Sequence, residues 1–593
     1  MASGVTQDTK PEFIAVAAFV IALACRLLNF PLAFDHGRPQ ISPIDELYHW
    51  KRISFSAAHF PQVLEFDSDR QAFCPWPPLY DLTAGIAART LGGRSSESVL
   101  RRVVWFPPVL SAAFVAIASL IVARHFGTIA ALAVALALAA SPFLVTQSSI
   151  GDIDHHFLEW PLTFAILGAA VSRRGVLLGV ALIAALFVQT ALIIAAAMAF
   201  VVLFILRDSR SGAIAFAVAA IAVAAYRITR GTGYPNSPWF LGWPHVALLA
   251  GAAIALLKRP LAIVAGAGLA ALALPSLIEG SHFLVGDPWL RTISEFQPIW
   301  KARGADLLSL LVGLGAGSIL VWLLAVRRHH WPIALFAIVY LLLTLSSRRF
   351  WSVGIPLLAL AGAVYASMIR SRLIRVIALA AIALPPPIQL ALWMRHPTPP
   401  VDADQRQWIR AAEFLRFHPG GRVLAPWWLG HTIDVIGGHG VVIDNFGNMP
   451  DRIVFERANE ALLSLDEATL ARYCQANSIR YVVLTNPLLG GRDAAAVIGE
   501  ANPGAAAWWW RTWFSRRAQQ FGLVYDNWRP EWQGAWMPHA QAIEIWELRR
   551  RSPGAARHPL PAHAGRGVSS SLSSLAGRGV SSSLSPLAGR GSG

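Results

Sequence analysis

The amino-acid sequence predicts a helical membrane protein with about 13 transmembrane helices, followed by a soluble domain of mixed α/β structure. Of its 593 residues, 55% are hydrophobic and only 14% are charged, far more apolar surface than one or two soluble cores require. Apolar runs close to the roughly 20 residues that span a bilayer recur between residues 12 and 394. After residue 394 the pattern changes to short strand-like and helix-like runs.

The apolar runs are separated by short loops that contain Arg pairs or Pro and Gly. The predicted spans lie near 12–33, 104–124, 128–146, 157–171, 175–189, 190–206, 212–229, 245–257, 261–278, 306–326, 332–346, 351–369 and 374–394. The stretch 175–206 is either one bent helix or two helices that meet at Gln189 and Thr190. No small-residue cleavage pattern follows the first run, so we expect it to be retained as an anchor.

Basic residues indicate the orientation of these spans. If the N-terminus is cytoplasmic, every even-numbered connection is inside and carries basic residues, as the positive-inside rule requires. These residues are Arg124, Arg173, Arg174, Arg207, Arg210, Lys258, Arg259, Arg327, Arg328, Arg370 and Arg372. The same parity puts the long loops 34–103 and 280–305, and everything after residue 394, outside. We therefore expect a multi-pass protein of the cytoplasmic (inner) membrane whose soluble domain is extracytoplasmic.

The net charge of +16 does not indicate a nucleic-acid partner. Most Lys and Arg residues stand singly or in pairs at the ends of apolar runs, whereas a nucleic-acid interface would collect them in one basic stripe. Cys25, Cys74 and Cys474 lie too far apart to form a CxxC metal pair, and three cysteines make no disulfide framework.

The chain divides into five predicted segments. These are an N-terminal segment 1–11, a membrane domain 12–394, a linker 395–400, a soluble domain 401–551 and a tail 552–593. Strand-like runs of the soluble domain are Arg422–Trp427, Val441–Ile443, Tyr481–Leu484 and Ala542–Leu548, and helical patterns cover 405–415 and 465–476. The tail repeats AGRG with Ser and Leu between the repeats, and such low-complexity sequence cannot bury a core.

The first outside loop contains the motif DELYHWKR, which begins at Asp45. A carboxylate here adjoins aromatic and cationic residues at the level of the lipid headgroups. The carboxylate can bind a divalent ion, and the aromatic and cationic residues suit an interface near phosphates. The alternative is an interfacial helix whose charges are simply solvated.

A second cluster, Gly151–Glu159, has the sequence GDIDHHFLE and stands at the edge of a predicted span. Ionisable groups at that depth are costly unless they are paired or bound to a metal. Asp154 and His156 can point to one side of an extended turn and bind one cation, and this mixed O/N set suits Mn²⁺ or Mg²⁺. Asp152 and Asp154 make an equally literal DxD pair. In the structural alternative, these groups cap the following helix and hydrogen-bond one another.

The outside loop before residue 305 contains TISEFQP, in which Glu295 is one of few outside carboxylates that can reach a metal centre. The alternative is a Thr-x-x-Glu cap that opens a helix, although Pro298 disfavours a long helix there.

Arg348 and Arg349 form a basic pair that the parity places outside, at the start of a span and against the positive-inside trend. A guanidinium beside the headgroups can bind a diphosphate through two hydrogen bonds. A miscounted span is the competing explanation.

The soluble domain contains PWWLGH at the end of a predicted strand. Its residues Trp427, Trp428 and His431 are candidates for contact with a peptide or sugar, and packing in a core is an equally ordinary role for paired Trp.

In this order, the motifs resemble those of the catalytic subunit of oligosaccharyltransferase, a family of archaeal, bacterial and eukaryotic proteins with a GT-C fold. The resemblance spans residues 12 to about 550. Asp45 matches the first acidic motif, and DHHxxE from Asp154 to Glu159 is similar to the second. The segment CPWPPLYD, residues 74–81, looks like the Pro-rich segment of archaeal members.

The later motifs extend the resemblance. TISE, ending at Glu295, looks like the family's TIxE motif, and Arg349 is similar to the arginine that contacts the diphosphate of the donor. The sequence WWLGH, residues 427–431, occupies the place of the WWDYG signature.

The resemblance implies a metal-dependent glycosyltransferase that acts with inversion. An acceptor nucleophile, expected to be a protein asparagine, attacks the anomeric carbon of a lipid-linked oligosaccharide on a polyprenyl diphosphate. The implied metal ligands for Mn²⁺ or Mg²⁺ are Asp45, Asp154 and His156, and Arg349 with Arg348 would bind the diphosphate. The implied catalytic residues are Asp45, Glu295 and Asp154. The implied partners are the lipid-linked donor, an acceptor polypeptide and membrane lipid.

Leu429 stands where the family has the aspartate of WWDYG. Leucine cannot accept a hydrogen bond from the hydroxyl of an N-x-S/T acceptor, so either His431 takes that role or the acceptor is different. One alternative is therefore a GT-C enzyme with a lipid, glycan or non-sequon protein acceptor. A transporter of lipid-linked glycans is a further alternative, although it would not need three carboxylate motifs on one side. The last alternative is a catalytically inactive binding protein.

Overall fold

A computed structural model provides the structure of the chain. It describes residues 10–68, 71–206, 210–285, 287–301, 304–325, 330–395, 399–487, 490–501, 503–527 and 542–549. Parts of the sequence predictions lie outside these residues. They are most of the segment 1–11, the basic residues Arg207, Arg327 and Arg328, residues 396–398 of the linker, and the tail 552–593.

The long loop 34–103 is folded into helices and two short hairpins. Helix α1 (Pro11–Arg26) precedes it, and the hairpins are β1 (Phe34–Asp35) with β2 (Arg38–Pro39) and β3 (Phe66–Asp67) with β4 (Ala72–Phe73). The helices of the loop are α2 (Asp45–His59), α3 (Leu79–Thr90) and α4 (Ser96–Val103). Helices α2 and α3 pack together so closely that a Cβ on Gly85 would lie 2.8 Å from Ser56 Cβ.

Helices also cover the regions of the other predicted spans. They are α5 (Phe106–Phe126), α6 (Thr128–Ala139), α7 (Pro142–Thr146), α8 (Glu159–Val171), α9 (Gly175–Val188), α10 (Ile193–Leu206), α11 (Arg210–Thr229), α12 (Trp243–Ala255), α13 (Pro260–Ala271), α14 (Leu274–Val285), α15 (Gly304–Ala325), α16 (Trp331–Ser346), α17 (Trp351–Ser367), α18 (Arg372–Ala383) and α19 (Pro385–Trp393). Their buried faces, rich in Ala, Val and Leu, form one large apolar core.

The chain is a multi-pass helical membrane protein. Among the described residues, five helical stretches are long and apolar enough to cross a bilayer, and a pair bent by 52° adds a sixth. The stretches are 11–32, 96–126, 210–229, 348–367 and 372–393, and the bent pair is 260–271 with 274–281. Six more apolar helices have only 10–17 residues, so the figure of about 13 spans stays a prediction.

Two backbone breaks explain part of the difference between the predicted spans and the shorter helices of the structure. At Gln189 the backbone is extended, with φ −153° and ψ 122°, so α9 and α10 are two helices rather than one bent helix. At Gly315 the φ of 46° lies in the left-handed region, which glycine adopts at little cost, and α15 is kinked there. The first break also brings Gln189 to the candidate site.

The C-terminal region has the mixed structure that the sequence predicts. Its helices are α20 (Ala403–Arg416), α21 (Gly430–Thr432), α22 (Arg452–Leu462), α23 (Glu467–Ala476), α24 (Gly490–Ile498) and α25 (Trp508–Ser515). Its strands are β5 (Arg422–Leu424), β6 (Ile479–Thr485), β7 (Phe521–Asp526) and β8 (Ile543–Leu548), in the sheet order β5-β6-β8-β7. The β5–β6 pair is parallel and the other two pairs are antiparallel. The predicted strand 441–443 contributes only a single bridge, from Val441 to Val423.

Polar contacts dock the C-terminal region on the loop 34–103. Lys51 Nζ, on α2, donates to Asp434 at 2.9 Å and to Asp67 at 2.7 Å. Thr432 Oγ1 donates to the carbonyl of Pro43 at 2.7 Å. These contacts hold the WWLGH segment, residues 427–431, against the start of α2, where Asp45 lies.

Candidate functional site

Asp154 stands immediately before the 3-10 turn that leads into α8 and faces histidines on both sides. Its Oδ2 lies 3.1 Å from Nε2 of His156. Its Oδ1 lies 3.1 Å from Nε2 of His49 and 2.8 Å from Nδ1 of His155. Asp154 Oδ1 also accepts a hydrogen bond from the backbone N–H of His155 at 2.5 Å. Asp154 therefore caps the turn and at the same time lies beside His156 as a pair of metal ligands would.

Asp45, the first residue of α2, lies among other carboxylates. Its side chain is 35% exposed and lines a cavity. Burial raises the pKa of Asp45 well above its ordinary value. The negative charges of Asp154, Glu46 and Glu295 raise the pKa of Asp45 further, and His156 opposes them.

Two more carboxylates add to the negative charge. Burial, with the charge of Asp152, raises the pKa of Glu46 well above its ordinary value. Burial, with the charge of Asp154, does the same to the pKa of Asp152. Oε2 of Glu46 and Oδ1 of Asp152 are buried and have no hydrogen-bond partner among the described residues. In contrast, although burial acts to raise it, the neighbouring His156 and His155 hold the pKa of Asp154 well below its ordinary value.

His49 connects this cluster to α3. Its Nδ1 lies 2.6 Å from Oδ1 of Asp81, and Oδ2 of Asp81 lies 2.6 Å from Nη1 of Arg52. Trp76 stacks on the imidazole with 4.1 Å between ring centroids and 5° between ring planes. Burial acts to lower the pKa of His49, but Asp81 and Asp154 outweigh it and raise that pKa to about 10.

Arg349 reaches the opposite side of His156. Its Nη2 donates to Oε1 of Glu159 at 2.8 Å and lies 2.9 Å from Nδ1 of His156. Oε2 of Glu159 accepts from Ser352 at 2.8 Å. The second amino group of Arg349, Nη1, is buried without a hydrogen-bond partner among the described residues, so it is available to an anion.

Glu295 approaches the cluster from a turn pinned beside Arg349. Backbone N–H of Arg348 donates to the carbonyl of Gln297 at 3.1 Å, and Ser347 Oγ lies 3.3 Å from the carbonyl of Glu295. Within residues 287–301 the backbone forms two 3-10 turns and no α-helix, and Thr292 Oγ1 donates to the carbonyl of Trp289. The predicted alternative of a helix cap at TISE is therefore wrong. Burial raises the pKa of Glu295, against the opposing charge of Arg349.

One cavity of about 430 Å³ joins these groups. Its charged and ionisable lining residues include Asp45, His156, Glu159, Glu295 and Arg349. The rest of the wall is mostly apolar and includes Ile193, Ile194, Leu248, Leu277, Tyr340, Phe350 and Val353. The charged groups therefore share one cavity with apolar side chains that several helices contribute.

The WWLGH segment contributes unequally to the site. Trp427 lines the cavity, and its ring lies 5.9 Å from that of Trp289. Trp428 and Leu429 belong to the apolar core of the C-terminal region. His431 is fully buried, and its Nε2 lies 3.8 Å from Oδ1 of Asp45.

The structure thus gathers most of the residues that the sequence singles out, and it adds others. Among the described residues, two sets have ligand atoms within 4.8 Å of one another and could hold a metal. They are His49 with Asp154 and His155, and His155 with His156 and Glu159. The predicted set of Asp45, Asp154 and His156 stays a prediction. His49 and Asp81 stand inside two motifs already quoted, but an imidazole on a helix face and a carboxylate in a Pro-rich segment have ordinary structural roles.

Comparison with known proteins follows this geometry. The sequence model of a family described as oligosaccharyl transferase STT3, N-terminal, matches residues 13–230. No curated protein matches the chain by sequence.

The fold is similar to solved structures of oligosaccharyltransferase from the archaeon Archaeoglobus fulgidus. Its AglB in complex with an inhibitory peptide and a dolichol-phosphate has a TM-score of 0.71 at 16% identity, covering 88% of this chain and 80% of that one. The enzyme tethered with an acceptor peptide that contains the NVT sequon gives 0.69 at 17% identity, with the same coverage. Its complex with Zn and sulfate gives 0.66 at 18% identity, covering 88% and 79%.

Residues 13–230 therefore match the STT3 family model, and 88% of the chain has a fold similar to that of the archaeal oligosaccharyltransferase.

Proposed function

We propose that this protein is a metal-dependent, inverting glycosyltransferase that moves a glycan from a polyprenyl-diphosphate carrier to an asparagine of an acceptor polypeptide. The observation that carries the proposal is the cavity in which Asp45, Glu295 and Arg349 lie together with apolar side chains of several helices. A lipid-linked sugar needs both charged and apolar side chains around it, because its diphosphate is strongly charged and its isoprenoid is apolar. The archaeal relatives of similar fold were solved with an acceptor peptide and with dolichol-phosphate.

The residues present fit a divalent cation. Asp154 Oδ2 and His156 Nε2, 3.1 Å apart, offer the mixed oxygen and nitrogen set that Mn²⁺ accepts. The buried carboxylate oxygens of Glu46 and Asp152 that lack partners indicate a site short of positive charge. We propose Asp45, Asp154 and His156 as the ligands of Mn²⁺ or Mg²⁺. A bound ion would act as a Lewis acid and stabilise the charge of the departing diphosphate.

Arg349 suits the other side of the diphosphate. Its Nη2 is fixed by Glu159 at 2.8 Å, which orients the guanidinium and leaves Nη1 to donate to a phosphate oxygen. Arg348 stands beside it, and its backbone N–H holds the turn that carries Glu295.

Asp45 and Glu295 line the same cavity, so both can accept hydrogen bonds from an acceptor amide. Two hydrogen-bond acceptors on one amide nitrogen would orient its lone pair toward the anomeric carbon. This orientation would increase the rate of attack. The nitrogen forms its bond to that carbon as the bond to the diphosphate oxygen breaks on the opposite face, which inverts the configuration. The proton that the nitrogen loses passes to one of the two carboxylates that accept its hydrogen bonds.

The membrane arrangement belongs to the same proposal. A GT-C fold with about 13 helices, a cytoplasmic N-terminus and the cavity on the extracytoplasmic side would agree with the basic residues of the even-numbered connections. Many of the shorter apolar helices would then cross the bilayer together with neighbouring longer helices.

A non-sequon acceptor is the second candidate, and the position of Leu429 favours it. Leu429 is 2% exposed and packs in the core of the C-terminal region, so its side chain offers nothing to an acceptor hydroxyl. Trp427 lines the cavity, and His431 lies near Asp45. We propose Trp427, Trp428 and His431 as the acceptor-side residues for either kind of acceptor.

Transfer by purified membranes tests the proposal. Membranes receive lipid-linked oligosaccharide, Mn²⁺ and a panel of N-x-T and non-sequon peptides. We expect transfer that EDTA removes and that Asp154→Asn and Glu295→Gln each abolish. Glu97→Gln is the matched control, because Glu97 is an exposed carboxylate on α4 that pairs with Arg101 across one helical turn. Transfer that survives both Asp154→Asn and Glu295→Gln would overturn the site assignment.

A further inference from the structure

His49 lies between two buried carboxylates that belong to different parts of the fold. Its Nδ1 is 2.6 Å from Asp81 Oδ1, and its Nε2 is 3.1 Å from Asp154 Oδ1. The three side chains are nearly or completely buried. Ionised carboxylates only accept hydrogen bonds, so an imidazole between two of them donates from both ring nitrogens.

The surroundings of His49 leave the ring little freedom. Trp76 stacks flat on one face at 4.1 Å, and the edge of Tyr80 meets the ring at 5.3 Å. Asp81 is itself held by Arg52, whose Nη1 is 2.6 Å away. The ring therefore has one orientation, and it fixes Oδ1 of Asp154.

His155 is also turned away from the cavity. Its Nδ1 lies 3.0 Å from His49 Nε2, and its Nε2 lies 3.1 Å from the side-chain amide of Gln189. Both ring nitrogens of His155 thus face protein groups. Oδ2 of Asp154 is left beside His156 Nε2, on the side where His156 lines the cavity.

We infer that His49, held by Asp81, is a positioning residue that turns Oδ2 of Asp154 and Nε2 of His156 toward the divalent ion and keeps His155 out of its ligand set. The inference rests on the proposed function, because it concerns the ion which that function requires. Groups that orient metal ligands typically change metal affinity by about 10–100-fold when they are removed.

The competing arrangement is an ion inside the triangle of His49, Asp154 and His155. The three facing atoms are 2.8–3.1 Å apart, which is close enough for a common cation. In that arrangement His49 and His155 would be ligands. Counting histidine nitrogens on bound Mn²⁺ separates the two arrangements.

The test measures Mn²⁺ binding to the full-length protein in detergent by EPR, with pulsed EPR to detect coordinated ¹⁴N. We expect one histidine nitrogen, lost in His156→Gln and kept in His155→Gln. His49→Asn should weaken Mn²⁺ binding by about 10–100-fold while the nitrogen signal of His156 remains. His49→Gln, whose amide can still donate from near the Nε2 position toward Asp154, should lose less affinity than His49→Asn.

His59→Asn is the matched control, since His59 lies on the same helix, is exposed, and hydrogen-bonds through its imidazole to the carbonyl of Phe55 within that helix. Mn²⁺ affinity unchanged in His49→Asn would overturn the positioning role. Nitrogen signals from two histidines that disappear in His49→Asn and His155→Gln would place the ion in the triangle instead. Absence of Mn²⁺ binding by the unmodified protein would overturn the metal dependence of the proposed function, and the inference with it.

Discussion

Nε2 of His431 lies 3.8 Å from Oδ1 of Asp45, so a side chain of the C-terminal region reaches the first carboxylate of the cavity. The imidazole stacks on Tyr48 with 4.8 Å between ring centroids, and its Nδ1 lies 4.0 Å from Asp444. Three elements of different origin therefore meet at this ring: the start of α2, the WWLGH segment and the loop that follows it.

His431→Phe keeps an aromatic ring against Tyr48 and removes the imidazole nitrogens that face Asp45. We expect glycan transfer to fall by about tenfold, which corresponds to about 1.4 kcal/mol of transition-state stabilisation. The initial rate of transfer to a saturating peptide measures this change. Mn²⁺ affinity by EPR is the companion measurement, and a rate equal to that of the unmodified protein would show that His431 serves packing alone.

Leu429→Asp tests whether the WWDYG aspartate can be restored. Because Leu429 is 2% exposed in an apolar core, we expect the new carboxylate to lower the unfolding temperature and to bring no gain in transfer to N-x-T peptides. Leu429→Met conserves volume and should leave both properties near their starting values. Improved N-x-T transfer by Leu429→Asp at an unchanged unfolding temperature would contradict this expectation and favour a sequon acceptor.

The sequence predicted the local part of the site better than the distant part. Asp154 and His156 are two residues apart, and their contact could be predicted from an extended turn. The contact between Arg349 and His156 joins residues 193 positions apart, and only the pattern of basic loops suggested that they share a side of the membrane. The approach of His431 to Asp45 depends on how two regions dock, which no local pattern contains.

The helical part of the fold followed from hydrophobicity, but the number of spans did not. Apolar runs predict where helices form, because burial and membrane insertion both favour them. The sequence left open whether two helices meet at Gln189 and Thr190, and it did not predict that the extended Gln189 points an amide at His155. The role of Gln189 therefore became visible only in three dimensions.

Metal affinity should rise with pH. Burial and neighbouring carboxylates raise the pKa of Asp45, and burial raises that of Glu295, so protons compete with a cation for this cluster at low pH. We expect the Mn²⁺ dissociation constant to fall steadily between pH 5 and pH 8, as measured by EPR titration. Asp45→Asn should weaken binding and flatten this dependence. An affinity for Mn²⁺ that is the same across the range would contradict the assignment of Asp45 to the ion.

Asp493, on α24 of the C-terminal region, offers a test of stability away from the cavity. Burial raises its pKa from 3.8 to about 7, so the folded state must bury a charge once the pH exceeds that value, whereas the unfolded chain ionises near pH 4. The folded state therefore loses stability as the pH rises from about 4 to 7, and Asp493→Asn should remove this loss. We expect the variant to raise the unfolding temperature of the full-length protein by about 5 °C at pH 8 and to change it little at pH 4. Asp466→Asn is the control of opposite sign, because Asp466 caps α23 and hydrogen bonds from Thr469 lower its pKa. Loss of this carboxylate should therefore lower the unfolding temperature more at pH 8 than at pH 4. An equal effect of Asp493→Asn at both pH values would show that the Asp493 carboxyl is not protonated in the folded protein at pH 4.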